Sequence, residues 1–448
     1  MNGEKDMPFD FRYKTLDDIR EDLLKLGINL PLSEDLSPLA RNFTVKGERI
    51  NFRNAVAIHP MEGFDSIHGE GEAVEGAPSD LTHRRYMRFA DSDAGLYWFE
   101  AVAISHESRS NNRQLWIHRG NVDSFKRLID DFHEKTDGAP VICQLTHSGR
   151  FSRPENKPAP IIAYHNPVLN KPFNIPPEHP VVTDDYLDSL VDQYVTAAKL
   201  AKEAGFDGVD IKACHRYLMS ELLSAYTREG KYGGSFENRT RLYRDVISAV
   251  KSEVGDMAVA TRLGVHDGIG YPYGFGDDRE DSQKFDPTEA ERLIGEIHAL
   301  GVNLINVTMG TPYFNPHVNR PYCHGGYEPP EHPLIGVARM INGAAILQRK
   351  FPDITFIGTG YTFLRHLAPY LAAGAVGSGM ISAAGFGRMA FAYDGFAKDL
   401  ISGDMKPSKC CVTCGKCTEL MRAFTTTGCP VRDSGVYAPI YKAACLKK

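Results

Sequence analysis

Three side chains able to hold or hand over a proton, Lys212, His215 and Tyr217, stand within six residues in the stretch Gly208-Val-Asp-Ile-Lys-Ala-Cys-His-Arg-Tyr-Leu. Amine, imidazole and phenol are the groups on which general acid-base catalysis draws, and donors grouped this way can grip an oxygen as it gains negative charge. A phenol with a reference pKa of about 10 stays protonated at neutral pH, so Tyr217 suits a proton donor. A second chemical cluster lies near the C-terminus: Cys411-x2-Cys414-x2-Cys417-x11-Cys429-Pro430, with Cys410 just ahead of it. Three closely spaced thiolates let a short loop wrap one corner of an iron-sulfur cube, and a distant fourth closes it. Zinc also takes four thiolates, but its sites more often pair two separated Cys-x-x-Cys knuckles, so the pattern leans toward iron-sulfur. Cys410 in place of Cys411 is the other assignment the spacing allows.

These groups need a scaffold. Gly208–Ile211 reads as a strand that ends by projecting the Lys-His-Tyr set from a loop, and Tyr232-Gly-Gly-Ser-Phe-Glu-Asn-Arg239 as a tight turn opening a long helix. A strand-loop-helix unit of this kind suits the C-terminal mouth of a parallel α/β barrel. Seven further strands are expected at 55–58, 95–103, 141–146, 257–263, 304–307, 355–358 and 376–381, alternating with helices such as 122–135 and 184–204. The count predicts a TIM (β/α)8 barrel over residues 51–405. Residues 1–50, amphipathic near Leu16 to Leu26, form an extension expected to wrap the barrel bottom or a neighbouring subunit. Residues 406–448 form a small cysteine-rich iron-sulfur segment. The stretch 170–180 reads as a loop crossing the mouth. The loops 266–281 and 310–326 are rich in aromatics, namely Tyr271, Tyr273, Phe275, Tyr313, Phe314 and Tyr322, and could wall a pocket for a planar substrate.

The Lys-Ala-Cys-His-Arg-Tyr-Leu segment, the Tyr-Gly-Gly-Ser-x-Glu-Asn-Arg segment and Gln144-Leu-Thr-His-Ser-Gly-Arg150 together resemble the Old Yellow Enzyme family of FMN-dependent ene-reductases, from about Asn51 to the C-terminus. The resemblance implies a place for each residue. Pro60 and Met61 would line the flavin, Gln144 would meet the edge of its ring, and Arg262 would face N1 and the C2 carbonyl. Gly360, Gly387 and Arg388 would take the phosphate, as glycine-rich turns with an arginine can at the ends of barrel strands seven and eight. Tyr217 falls on the family's proton donor and His215 on its second His/Asn position. Lys212 replaces the first histidine and Arg216 a glycine, so the family's paired grip on a substrate carbonyl is altered here. His147, Arg150 and Glu100 are expected to be scaffold.

The activity implied is hydride transfer from reduced FMN N5 to the β-carbon of an α,β-unsaturated carbonyl, with NADH or NADPH as electron donor. The aromatic loops favour a planar enone such as a flavonoid or cinnamate. Dienoyl thioesters and steroid or bile-acid enones are the alternative substrates. The cysteine tail is similar to that of the iron-sulfur branch around 2,4-dienoyl-CoA reductase and trimethylamine dehydrogenase, without its C-terminal FAD and pyridine-nucleotide domains. An amine dehydrogenase of the latter type attaches FMN through a cysteine after strand one, and none occurs between His59 and Asp65.

Composition narrows the partners. A net charge of -6, with no long Lys/Arg run, gives no field for nucleic acid. No run reaches the roughly 18 to 20 apolar residues of a membrane span, and Met-Asn-Gly-Glu-Lys-Asp at the start lacks the apolar core of a secretion signal, so a cytoplasmic location is expected. Of nine cysteines, Cys143, Cys214 and Cys323 are scattered and the other six crowd toward one end, which is not the spread of a disulfide framework. The expected partners are a small enone, a redox protein feeding the cluster, and further copies of the chain as a homo-oligomer.

Overall fold

Short apolar runs become strands here because each is covered on one side by the barrel interior and on the other by helices. The computed structural model describes residues 10–446, so the first nine residues of the N-terminal extension and the last two of the tail lie outside the described residues. Eight parallel strands close on themselves in chain order: β1 Val56–Ile58, β2 Leu96–Ala103, β3 Val141–Thr146, β4 Gly208–Ile211, β5 Ala258–Gly264, β6 Leu304–Thr308, β7 Thr355–Gly358 and β8 Ala383–Phe386. Gly385 of β8 pairs with Ala57 of β1 to seal the barrel. Every strand residue is buried. This is the expected TIM barrel, and the first seven strands fall within one residue of their expected bounds.

The eighth strand does not lie at 376–381. Val376 belongs to the helix Ala368–Gly377, and the chain turns at Gly379 (φ 69) before β8 begins. A short apolar run cannot by itself separate strand from buried helix. This helix is apolar all round because the N-terminal segment packs over its outer side: a Cβ on Gly374 would fall 1.7 Å from the Pro31 carbonyl oxygen. Gly385 and Phe386, expected in a loop, are therefore strand residues. The helix expected after Glu237 is also divided, into Phe236–Arg239 and Arg241–Val254, meeting at Thr240.

The N-terminal helix Leu16–Leu26 is closed by a Thr15/Asp18 capping box and by Gly27 in the left-handed region. A hairpin, Phe43–Thr44 with Asn51–Phe52, covers the N-terminal ends of the strands, where Glu48 pairs with Lys251 at 2.7 Å. The tail carries the helices Lys416–Arg422 and Ser434–Cys445. It is clamped to the barrel by Asp433, which accepts from Arg84 and Arg88 of the helix Asp80–Ala90, and by Thr427 N donating to the Gly63 carbonyl at 2.7 Å. Among the described residues no helix is long and apolar enough to cross a membrane.

Candidate active site

The loops at the C-terminal ends of the strands line a partly open cavity. Of the residues singled out from sequence, Pro60, Met61, His215, Tyr217, Arg262, Gly360, Gly387 and Arg388 all line it. Gln144 and Lys212 do not. The Gln144 amide donates to Asp210 Oδ2 at 2.6 Å. Lys212 does not pair with Asp210, whose carboxylate is filled by Trp98 Nε1 at 2.7 Å, Gln144 and the Arg262 amide at 2.7 Å. Burial pushes Asp210 up to about 6 against those donors. The Lys212 ammonium sits instead 3.3 Å from Glu62 Oε1 and 4.0 Å from the ring centroid of Tyr217.

The loop after β4 is held in an unusual shape. His215 and Arg216 both have φ 62, a left-handed conformation costing roughly 1–2 kcal/mol per residue for a side chain larger than glycine. Arg216 offsets that cost: its buried guanidinium donates to Asp267 Oδ2 at 2.8 Å, Ser224 at 2.6 Å and Tyr164 at 2.9 Å. The turn aims His215 into the cavity with Nε2 buried and unpartnered. Burial, then Arg262 and Lys212, hold its pKa well below the usual histidine range, so the ring is neutral. Tyr217 Oη lies 3.0 Å from Tyr313 Oη; burial, then Glu62 and Tyr313, push its pKa well above the usual value, so it is a phenol.

Of the six loop aromatics expected to wall the pocket, Tyr313 lines it, stacked on Phe151 at 3.8 Å. Tyr271 and Phe314 are exposed, Phe275 is buried in the core and Tyr322 packs against Tyr327. Phe173, from the loop expected to cross the mouth, meets Tyr313 edge-on.

Cations line the rest of the cavity. Arg262 Nε is buried without a partner, and among the described residues no carboxylate pairs with this guanidinium. Arg388 stands near Arg320, whose pKa burial and then Arg388 lower to about 10. Arg320, in the loop after β6, carries no local sequence signature and was not anticipated. Gly360 has φ 114, and a Cβ on Gly387 would come within 2.8 Å of Met61 Sδ. An unpaired buried arginine at one end and a bare-backbone wall with Arg388 at the other could hold the ring and phosphate of FMN. Scaffold roles fall where expected: Arg150 is buried against Glu221 and Asn170, His147 bonds Tyr186, and Glu100 holds Arg85 and the Gly63 amide.

Cys411, Cys414, Cys417 and Cys429 line one small void beside this cavity. Cys410 faces away, its thiol 3.3 Å from the Lys406 carbonyl oxygen. Thr413 N donates to Cys411 Sγ at 3.4 Å and Arg432 N to Cys429 Sγ at 3.3 Å, contacts that suit thiolates. Among the described residues no three His, Cys, Asp or Glu side chains converge on a single-ion position. A four-thiol void of this kind could hold a larger cluster.

Fold and cavity together define a (β/α)8 barrel with a candidate site at the C-terminal mouth of its strands. Residues 43–322 match the family described as NADH:flavin oxidoreductase / NADH oxidase, and the chain belongs to that family. It is 33% identical over 229 residues to an NADPH dehydrogenase of Bacillus pumilus, covering 50% of this chain and 63% of that protein. The curated relatives are matched over 47% to 63% of their own length. Among solved structures, a 2-naphthoyl-CoA reductase in complex with 2-naphthoyl-CoA superposes with a TM-score of 0.70 at 18% identity, over 88% of this chain and 57% of that one. An old yellow enzyme homologue from Zymomonas mobilis superposes with a TM-score of 0.63, also at 18% identity, over 88% of this chain and 98% of that one. At these identities the structures speak to the fold.

Proposed function

We propose that the chain is an FMN-dependent ene-reductase that saturates the C=C bond of an α,β-unsaturated carbonyl compound. One observation carries this reading: the Tyr217 phenol and the free His215 ring nitrogen face the same cavity as the unpaired Arg262. FMN would supply hydride chemistry when bound. Pro60, Met61 and Arg262 would hold its ring, and Gly360, Gly387 and Arg388 its phosphate. Arg262 would place positive charge where the reduced ring is negative. Gln144 enters as the residue that orients Asp210. His215, neutral and unpartnered, would donate to the substrate carbonyl, and Tyr217 would give its proton to the α-carbon.

The Phe151–Tyr313 stack supports a planar aromatic substrate such as a cinnamate or flavonoid. A thioester is the second reading, favoured by Arg320: this cation lines the cavity, has no carboxylate partner among the described residues, and would take an anionic end. Cys411, Cys414, Cys417 and Cys429 would hold a [4Fe-4S] cluster. Electrons would come from NADH or NADPH directly, or through that cluster from a redox partner protein.

The test is an anaerobic visible spectrum of protein loaded with FMN and iron. NADH or NADPH should bleach a flavin band, and an enone panel spanning cinnamates, flavonoids and dienoyl thioesters should restore it. Protein that takes up no FMN, or whose reduced flavin no enone reoxidises, sinks the reading.

A further inference from the structure

Glu62 is the one carboxylate lining the cavity among the described residues. Its side chain is 12% exposed and that of Lys212 is 2% exposed, and each is the other's ion-pair partner across 150 residues of sequence. The ammonium so held lies on the face of Tyr217, 4.0 Å from the ring centroid. We propose that Glu62 is a positioning residue for proton delivery, pinning Lys212 against Tyr217 so that a cation meets the phenolate left when the proton departs. This rests on the ene-reductase reading.

The physical argument is differential. A cation over a neutral phenol gains modestly from the ring's electron density. Once the phenol O–H bond breaks and the proton bonds to the substrate α-carbon, the electron pair stays on the phenolate and spreads into the ring, so attraction to Lys212 grows. Interactions that strengthen along the reaction raise the rate rather than affinity alone. Bound FMN would supply the hydride that the β-carbon takes, and with it the two electrons the substrate gains. The phenolate regains a proton from solvent through Tyr313, 3.0 Å away. Without Glu62 the ammonium, on its flexible four-carbon stem, would be free to leave the ring for the nearest anion.

The groups facing Tyr217 are Lys212 on its own loop, Glu62 from the loop after β1, Tyr313 from the loop after β6 and Ser110 from the loop after β2. His215 and Arg262 share its cavity. Burial, then the Glu62 carboxylate and Tyr313, hold the Tyr217 pKa up, and the Ser110 hydroxyl acts against them.

The experiment measures kcat, KM and the kcat–pH profile with an accepted enone in FMN-loaded wild type, Glu62→Gln, Lys212→Met, Lys212→Arg and the double variant Glu62→Gln/Lys212→Met. Glu62→Gln and Lys212→Met should not be additive: because Glu62 acts through the ammonium, the double variant should be no slower than Lys212→Met alone. Both should lower kcat by about tenfold with a smaller change in KM, and Lys212→Arg should restore part of it. Losses that add in the double variant overturn the assignment. A wild type that reduces no enone overturns the ene-reductase reading instead.

Discussion

Cys417 and Arg388 form a common wall between the central cavity and the void lined by four thiols. Burial pushes the Cys411 thiol up to about 12, and Arg388 is the first group pulling it back toward the thiolate. One arginine thus faces both chambers, and groups seated in them would be separated by a single layer of side chains.

Cys414→Ala should abolish iron and acid-labile sulfide, together with the broad visible absorbance of a cluster, while FMN is still taken up. Cys410→Ala should retain all three, because its thiol turns to the Lys406 carbonyl and away from the void. Metal and sulfide analysis of the two proteins decides the matter; equal loss in both would put the ligand set in error.

Arg262→Gln tests the unpaired guanidinium. Losing a charge-assisted contact to an anionic reduced ring should cost on the order of 1.5–3 kcal/mol. For a two-electron couple this lowers the flavin midpoint potential by about 30–65 mV. Spectroelectrochemical titration reads that shift without turnover. An unchanged potential would mean that Arg262 faces something other than the reducible ring.

Tyr313→Phe should keep the stack on Phe151, since only the hydroxyl is lost, and should fold as the wild type does. Its kcat should fall severalfold, whereas Tyr217→Phe removes the proton donor and should cost about 10²–10⁴ in kcat. Reduction of the flavin by nucleotide should survive both changes, and stopped-flow traces of the two half-reactions separate these outcomes. A slowed nucleotide half-reaction in Tyr217→Phe would count against its role as donor to substrate.

How far this site can be read from sequence depends on how local its determinants are. Strands β3, β4 and β7 are visible to the residue, because a buried run between turn residues carries its own boundaries. The eighth strand was misplaced because the helix Ala368–Gly377 is covered on both sides and lost the polar stripe that marks a surface helix. His215 and Tyr217 belong to one short motif and could be found together. The Glu62–Lys212 pair joins loops 150 residues apart, and Arg320 sits in a loop with no repeating pattern. No spacing rule reaches such contacts. Only the closure of the barrel brings them to one cavity.

The last prediction concerns pH. His147 Nδ1 accepts from the Gly149 amide at 3.0 Å, so the ring proton resides on Nε2 and is donated to the Tyr186 hydroxyl at 2.8 Å, which in turn donates to Glu107. Burial lowers its pKa to about 3, against about 6.5 in an unfolded chain. Between those values the unfolded state binds the extra proton and the native state does not, so this residue's contribution is complete above pH 6.5 and is lost progressively as pH falls toward 3. The His147 carbonyl also accepts from the Leu218 amide, immediately after Tyr217, so loosening here reaches the catalytic loop. His147→Asn removes the titration. Its thermal midpoint should be lower than wild type at neutral pH and should converge on it as the pH is lowered to about 4.5. Midpoints that stay parallel across that range would show that this imidazole does not carry the acid sensitivity.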